Sequence, residues 1–315
     1  MTLLKRVVFA IFVSALFSSC SFSQLNWGYV DNSNVITSTL DMDVDADGNL
    51  WAVSWDNFPD NIYKITDDSA VDVVRSPWAN KPRNDAPDQV CIGDIVWVTT
   101  FEGNIFRYDS TNTWSGPFDI DHDENSRYWC FGIPNGNTLV WNHNWIKIFS
   151  SEGDTPQTIY LEGKEDIVQA KIDSNGNLWA LTRTGEFYKH REMTWSYHSR
   201  ITLSDKEYVY EFWIIGNSIW IATNQRLFRI EDGKSKEILK FDGDSFVEEI
   251  VQDDSKRLWV FKSDSILRVG QFGKMIEEFS YPAKLDYHIA YNGNTGLIYV
   301  ATIDGVYFLD INASK

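Results

Sequence analysis

The chain is built from short apolar runs in which every second position tends to be apolar, as in Ser218-Ile-Trp-Ile-Ala-Thr223 followed by Arg226-Leu-Phe-Arg-Ile230. Alternation of period two puts apolar side chains on one face of a β-strand and polar ones on the other. No stretch carries the roughly 3.6-residue rhythm of an amphipathic helix, so the pattern predicts an all-β chain and excludes a helical solenoid.

The runs are organised into a repeat. An apolar strand leads into an Asp/Asn-Gly turn, then into a strand centred on Trp, a third strand with an aromatic, a polar turn and a fourth strand. The best copies are Asp45-Ala-Asp-Gly-Asn-Leu-Trp51 and Asp173-Ser-Asn-Gly-Asn-Leu-Trp179; weaker ones end at Trp97, Trp141, Trp220, Trp259 and Tyr299. These anchors stand 38 to 46 residues apart. A period near 40 with four short strands per unit predicts a seven-bladed β-propeller of four-stranded antiparallel blades. Asp/Asn-Gly supplies the positive φ of a tight hairpin, and the following Trp fills the space between blades. The last unit lacks a fourth strand, while Trp27–Ile36 precedes the first full blade without a partner. The N-terminal segment is therefore expected to close the ring as the outer strand of the last blade, which removes an exposed seam.

The Asp-x-Asn/Asp-Gly-Asn-Leu-Trp-x-x-Thr/Ser unit resembles the two-component regulator propeller repeat, within the YVTN/quinoprotein-like seven-bladed propellers, and covers nearly all of residues 26–312. That resemblance implies the propeller fold and an extracytoplasmic role in recognising ligands, notably oligosaccharides. The sequence given contains no kinase part, so the resemblance does not imply signalling by this polypeptide.

The N-terminus adds an address. Lys5 and Arg6 precede the apolar run Val7–Phe17, which is too short to span a bilayer and reads as a signal peptide over residues 1–19. Leu16-Phe17-Ser18-Ser19-Cys20 resembles a lipobox, making Cys20 a candidate lipidation site; cleavage after Ser23 is the alternative. The propeller is expected over residues 25–312, in the cell envelope as a lipoprotein or periplasmic protein, or secreted. Cys91 and Cys130 remain, both in apolar runs, and are expected as buried free thiols that could pair in an exported protein.

Formal net charge is −17, and the first 19 residues carry only Lys5 and Arg6, leaving −19 from Cys20 onward. Such a surface repels phosphate backbones and anionic headgroups, which excludes nucleic acid as a partner and leaves the membrane only through a lipid anchor.

Candidate chemistry is sparse. Asp41–Gly48 partly matches a calcium loop, but the twelfth position counted from Asp43 is Ser54 and strand follows, so a hairpin turn is expected. The five histidines show no metal-ligand spacing, and no Gly-x-Ser-x-Gly elbow occurs. No catalytic residue, metal ligand or cofactor is assigned. An alternative is a metal-dependent hydrolase or lyase, similar to lactonase or streptogramin-lyase propellers, with Asp121, His122, Asp123, Glu124 or His288 near the channel. Binding is the leading expectation. Loops between blades share a face with the loops joining second to third strands, and in blades one to three these loops carry Trp55, Phe58, Trp78, Arg83, Phe101, His122, His143 and Trp145. Flat aromatics beside polar groups suit an oligosaccharide or a protein ligand.

Overall fold

A computed structural model of the chain describes residues 25–313 apart from short segments, the longest being 56–61, 78–85 and 121–127. The N-terminal segment expected to be a signal peptide, and Cys20, lie outside the described residues. Strand β1 (Trp27–Tyr29) comes first, and blade 1 follows with β2 (Thr39–Val44), β3 (Leu50–Ser54), β4 (Ile62–Thr66) and β5 (Ala70–Val74). Blade 2 holds β6 (Pro87–Ile92), β7 (Val96–Thr100), β8 (Asn104–Tyr108) and β9 (Trp114–Asp119). Blade 3 holds β10 (Trp129–Gly132), β11 (Thr138–Trp141), β12 (Trp145–Phe149) and β13 (Gln157–Tyr160). Blade 4 comprises β14 (Ile167–Ile172), β15 (Leu178–Thr182), β16 (Glu186–Arg191) and β17 (Thr194–Arg200). Blade 5 comprises β18 (Val209–Ile215), β19 (Ser218–Thr223), β20 (Arg226–Glu231) and β21 (Lys234–Lys240). Blade 6 runs through β22 (Val247–Gln252), β23 (Leu258–Lys262), β24 (Ile266–Val269) and β25 (Met275–Phe279). The last blade is β26 (Leu285–Asn292), β27 (Leu297–Thr302), β28 (Gly305–Asp310) and β1.

Each blade is one antiparallel meander, and β1 completes the seventh by pairing Trp27, Gly28 and Tyr29 with Leu309, Phe308 and Tyr307. The ring is thus closed by the N-terminal strand, as the unpartnered Trp27–Ile36 segment predicts. The first strand of each blade lies innermost, and β2 touches the inner strands of both neighbours, β6 and β26. The core sits between blades: Trp51 and Val53 pack with Val90, Ile92 and Phe106 of blade 2, and Trp259 and Phe261 pack with Leu285, Ile298 and Val300 of blade 7.

The repeat motif is a hydrogen-bonded device. Asp173 accepts from the backbone N–H of Asn175 and Asn177, from Asn177 Nδ2, and from Trp179 Nε1 at 2.9 Å. Asp45 does the same for Asp47, Asn49 and Trp51. The Asp41–Gly48 run is therefore the end of β2 followed by a hairpin turn, in which Asp45 ties the turn to the Trp51 indole. Gly176 supplies the left-handed residue with φ 78°, and in blade 6 Lys256 takes that place at φ 62° while Asp253 still holds Trp259 Nε1 at 2.9 Å. Across the sheet the anchor Trp meets a cation on the third strand. Lys64, Arg107, Lys189, Arg229 and Arg268 lie 4.7–5.7 Å from the rings of Trp51, Trp97, Trp179, Trp220 and Trp259.

Two expectations need correction. In blade 3 the residue in register with the other anchors is Leu139, opposite Ile148, and Trp141 stands two places further on. The repeat is consequently more even than the tryptophans alone suggest. Secondly, Cys91 and Cys130 form a disulfide rather than two free thiols, with Cα atoms 5.9 Å apart. It joins inner strands β6 and β10 where the backbones approach closely: a Cβ on Gly132 would lie 2.0 Å from the Ile92 carbonyl carbon. Apolar flanks signal burial, but here burial brings the two thiols together.

Candidate functional site

Hairpin connectivity puts the inter-blade loops and the second-to-third strand loops on one face, the loop face, and the Asp-Gly turns on the other, the turn face. A repeated backbone bond marks the loop face: Trp55 N–H donates to Ser38, Phe101 to Ala86, Asn224 to Tyr208, and Ser263 to Phe246. Trp55 and Phe101 are 39% and 38% exposed and meet edge to face at 5.3 Å. His143 packs edge to face on Trp129 at 5.4 Å, and its buried Nδ1 has no hydrogen-bond partner. Trp145 turns inward instead, buried against Tyr128 with the Lys147 ammonium 4.8 Å from its ring. Phe58, Trp78, Arg83 and His122, with Asp121, Asp123 and Glu124, lie outside the described residues.

Sequence reasoning missed a second aromatic group on the loop face. Tyr208 and Phe246 are 44% and 40% exposed at the entry to β18 and β22, and Tyr210 bridges them. The Tyr210 hydroxyl donates to that of Tyr208 at 2.6 Å, and its ring lies 4.5 Å from Phe246. Blades 1 and 2 and blades 5 and 6 stand on opposite sides of a seven-membered ring, so the two groups flank the channel mouth.

Strand register defines a layer of equivalent positions inside the channel. Asp41 stands opposite Val53, and the same place is held by Gln89, Trp129, Gln169, Glu211 and Glu249. Continuing the β26–β27 register gives His288 as the seventh. Bulges precede Asp41, Gln89, Gln169, Glu211 and Glu249, which re-aims these side chains. Part of the layer is architectural, because inner strands are sheet edges with open N–H groups. Asp41 accepts from Val90 N, Asp43 from Ile92 N, Gln89 from Cys130 N and Gln169 from Phe212 N, each stitching one blade to the next.

Charges in the channel are strongly perturbed. Burial pushes the Asp43 carboxyl up to about 7. Burial and the Asp43 charge raise Asp41 well above the carboxylate range, although its side chain keeps 27% of its surface open to the lumen. Glu248 rises to about 7 through burial and the Glu211 charge. Glu249 rises to about 8, mainly through burial, with Lys171 opposing and Glu211 adding. Burial also lowers His288 to about 4, so this imidazole, 3.9 Å from Asp41, is held neutral. Lys171 is the lumen's counter-charge, donating to Glu211 at 2.9 Å, and Gln169 Nε2 joins the same oxygen at 2.6 Å. Among the described residues no three His, Cys, Asp or Glu side chains converge as a metal site requires. The arrangement can accept hydrogen bonds, store protons near neutrality and stack flat ligands at its mouth.

No family model matches the chain, and no curated protein matches it. Solved structures show the fold. Virginiamycin B lyase from Staphylococcus aureus superposes with TM-score 0.72 at 16% identity, covering 91% of this chain and 99% of the lyase. The extracellular domain of a hybrid two-component system from B. thetaiotaomicron gives TM-score 0.69 at 12% identity, over 93% of this chain and 44% of that one. YCF48 from Cyanidioschyzon merolae gives 0.68 at 15%, over 90% and 98%; YCF48 has also been solved bound to a D1 peptide. An enzyme, an extracellular domain and a peptide-bound protein thus share one scaffold, and at these identities the likeness reaches the fold alone.

Proposed function

We propose that this protein is an exported, non-catalytic recognition propeller that binds an oligosaccharide across its loop face. The observation that carries the reading is the pair of exposed aromatic groups flanking the channel mouth, Trp55 with Phe101 and Tyr208 with Tyr210 and Phe246. Flat, partly exposed rings held by their neighbours offer stacking area at low entropic cost, which suits sugar rings. The Cys91–Cys130 disulfide supports residence outside the cytoplasm, as does the basic-then-apolar N-terminus. Lipidation at Cys20 would tether the propeller to the envelope.

A ligand that binds only the folded state raises the unfolding midpoint. The test is thermal unfolding of the protein against a panel of α- and β-linked hexaoses, each with calcium and with a chelator. A rise with one linkage class, unchanged by chelator and lost in Trp55→Ala and Tyr208→Ala, is expected. A midpoint that falls on chelation would replace this reading with the metal-dependent hydrolase or lyase. A panel without effect would leave a protein as the ligand and refute the glycan.

A further inference from the structure

On the turn face a crevice of about 570 Å³ opens between blades 5 and 6. Ile215, Trp220 and Arg229 line one side, and Gln252, Lys256 and Leu258 the other. Cavities of roughly 300–1,000 Å³ are the usual size for small ligands.

The other blades show what is missing there. In blades 1, 4 and 6 an aspartate stands two places beyond the inner-strand partner of the anchor Trp. These are Asp45, Asp173 and Asp253, and their carboxylates accept the N–H of Trp51, Trp179 and Trp259 at 2.9 Å. Cations attend two of them, with Lys64 at 3.9 Å from Asp45 and Arg257 at 2.7 Å from Asp253. In blade 2 the Gly136 carbonyl takes the Trp97 N–H at 3.0 Å. In blade 5 Trp220 stands opposite Trp213, so the equivalent place falls to Ile215, whose side chain offers no acceptor.

The donors such a carboxylate would meet are open. Trp220 is only 8% exposed and lines the crevice, yet its Nε1 has no hydrogen-bond partner among the described residues. Buried donors are nearly always paired, so an open one facing a cavity marks the place of an absent acceptor. Arg229, the third-strand cation 5.4 Å from that ring, directs Nε and Nη2 to Ser218 Oγ at 3.0 Å, and Nη2 also to Glu231. Its Nη1 has no partner among the described residues, and neither has Lys256 Nζ. Two cations against the single Glu231 carboxylate leave one positive charge in the crevice uncompensated.

We propose that this crevice binds a small monocarboxylate with an apolar body. Its carboxylate accepts from Trp220 Nε1 and Arg229 Nη1, in the place that Asp173 holds in blade 4, with Lys256 as the second counter-charge. The body lies against Ile215 and Leu258. A dianion exceeds the available charge, and a neutral isostere leaves it unmatched. The site is on the face opposite the aromatic rim and does not rest on the loop-face reading.

The test is isothermal titration of the full chain, in an amine buffer, with benzoate, benzyl alcohol and phosphate. Benzoate is expected to bind, and the alcohol and phosphate at least about tenfold more weakly. Trp220→Phe keeps the ring and loses one hydrogen bond to a charged group, so it should bind benzoate about tenfold more weakly. Lys256→Gln, at an exposed turn, should weaken binding about threefold. Ile215→Asp places the chain's own carboxylate in the vacant position and should abolish binding, whereas Ile215→Ala and Trp55→Ala should keep it. No saturable binding of benzoate, equal or tighter binding of benzyl alcohol or phosphate, or unchanged affinity in Trp220→Phe would overturn the proposal. Binding kept in Ile215→Asp, or lost in Trp55→Ala, would overturn it as well. Should Trp220→Phe fail to fold, Lys256→Gln decides: a loss supports the site and an unchanged affinity refutes it.

Discussion

The disulfide between blades 2 and 3 gives the sharpest quantitative prediction. Cys91 and Cys130 are 39 residues apart in sequence and 5.9 Å apart at Cα, within the ordinary range for a bridge. Reducing it, or replacing both by Ser, releases a loop of that length in the unfolded chain, which the chain-entropy account values at roughly 4 kcal/mol. A propeller of this size unfolds with an entropy of about 0.6 kcal/mol per kelvin, so the midpoint should drop by about 6 °C. The fold should survive, because seven inter-blade cores and the β1–β28 closure do not depend on the bridge. The assay is thermal unfolding with and without reductant, paired with mass spectrometry after alkylation of the unreduced protein. Two alkylated cysteines in native protein from the envelope, or a midpoint indifferent to reductant, would refute both the bridge and its support for export.

Further predictions follow the same geometry. Asp173→Ala strips the turn of a carboxylate that holds Trp179 Nε1 and the Asn177 backbone, and should cost about 2–3 kcal/mol in denaturant unfolding, with Asp173→Asn recovering part of it. Gly132→Ala drives a Cβ into the Ile92 backbone and should cost about 3 kcal/mol, clearly more than Gly176→Ala, which meets nothing within 4 Å and carries only the strain of φ 78°. Asp43, Glu248 and Glu249 have folded pKa values raised to about 7, 7 and 8. The folded state then holds the extra protons, so their stabilising contribution is full near pH 4 and disappears as pH rises through 8. The unfolding midpoint should accordingly fall between about pH 4.5 and 8 and level off above that, and Asp43→Asn with Glu249→Gln should flatten that decline; a midpoint rising with pH over this range would contradict the buried-carboxyl description.

What could be read from the sequence was what local chemistry encodes. Asp173, Gly176 and Trp179 lie within one hairpin, so the turn, the indole bond and the strand after it are written in adjacent letters. The missing fourth strand was equally visible, and the ring closure by Trp27–Tyr29 followed from it. Properties that arise between blades were not legible. Nothing near Cys91 points to Cys130, because their meeting depends on where two inner strands converge. Leu139 was hidden behind Trp141, a more conspicuous residue two places away. The channel layer escaped notice because Gln169 and Glu211 sit between apolar or aromatic neighbours just as a solvent-facing row would, and only the closed ring turns that row inward. Tyr208 and Phe246 open their inner strands among ordinary alternation, so their exposure at the rim was written in the bulges and loops rather than in residue type.

Recognition at the loop face is tested most directly by hydrogen–deuterium exchange of the protein with and without the stabilising hexaose. Protection confined to the loops bearing Trp55, Phe101, Tyr208 and Phe246, with the oligosaccharide recovered intact, is the predicted result. Protection on the turn face alone, or recovery of a cleaved oligosaccharide, would contradict it.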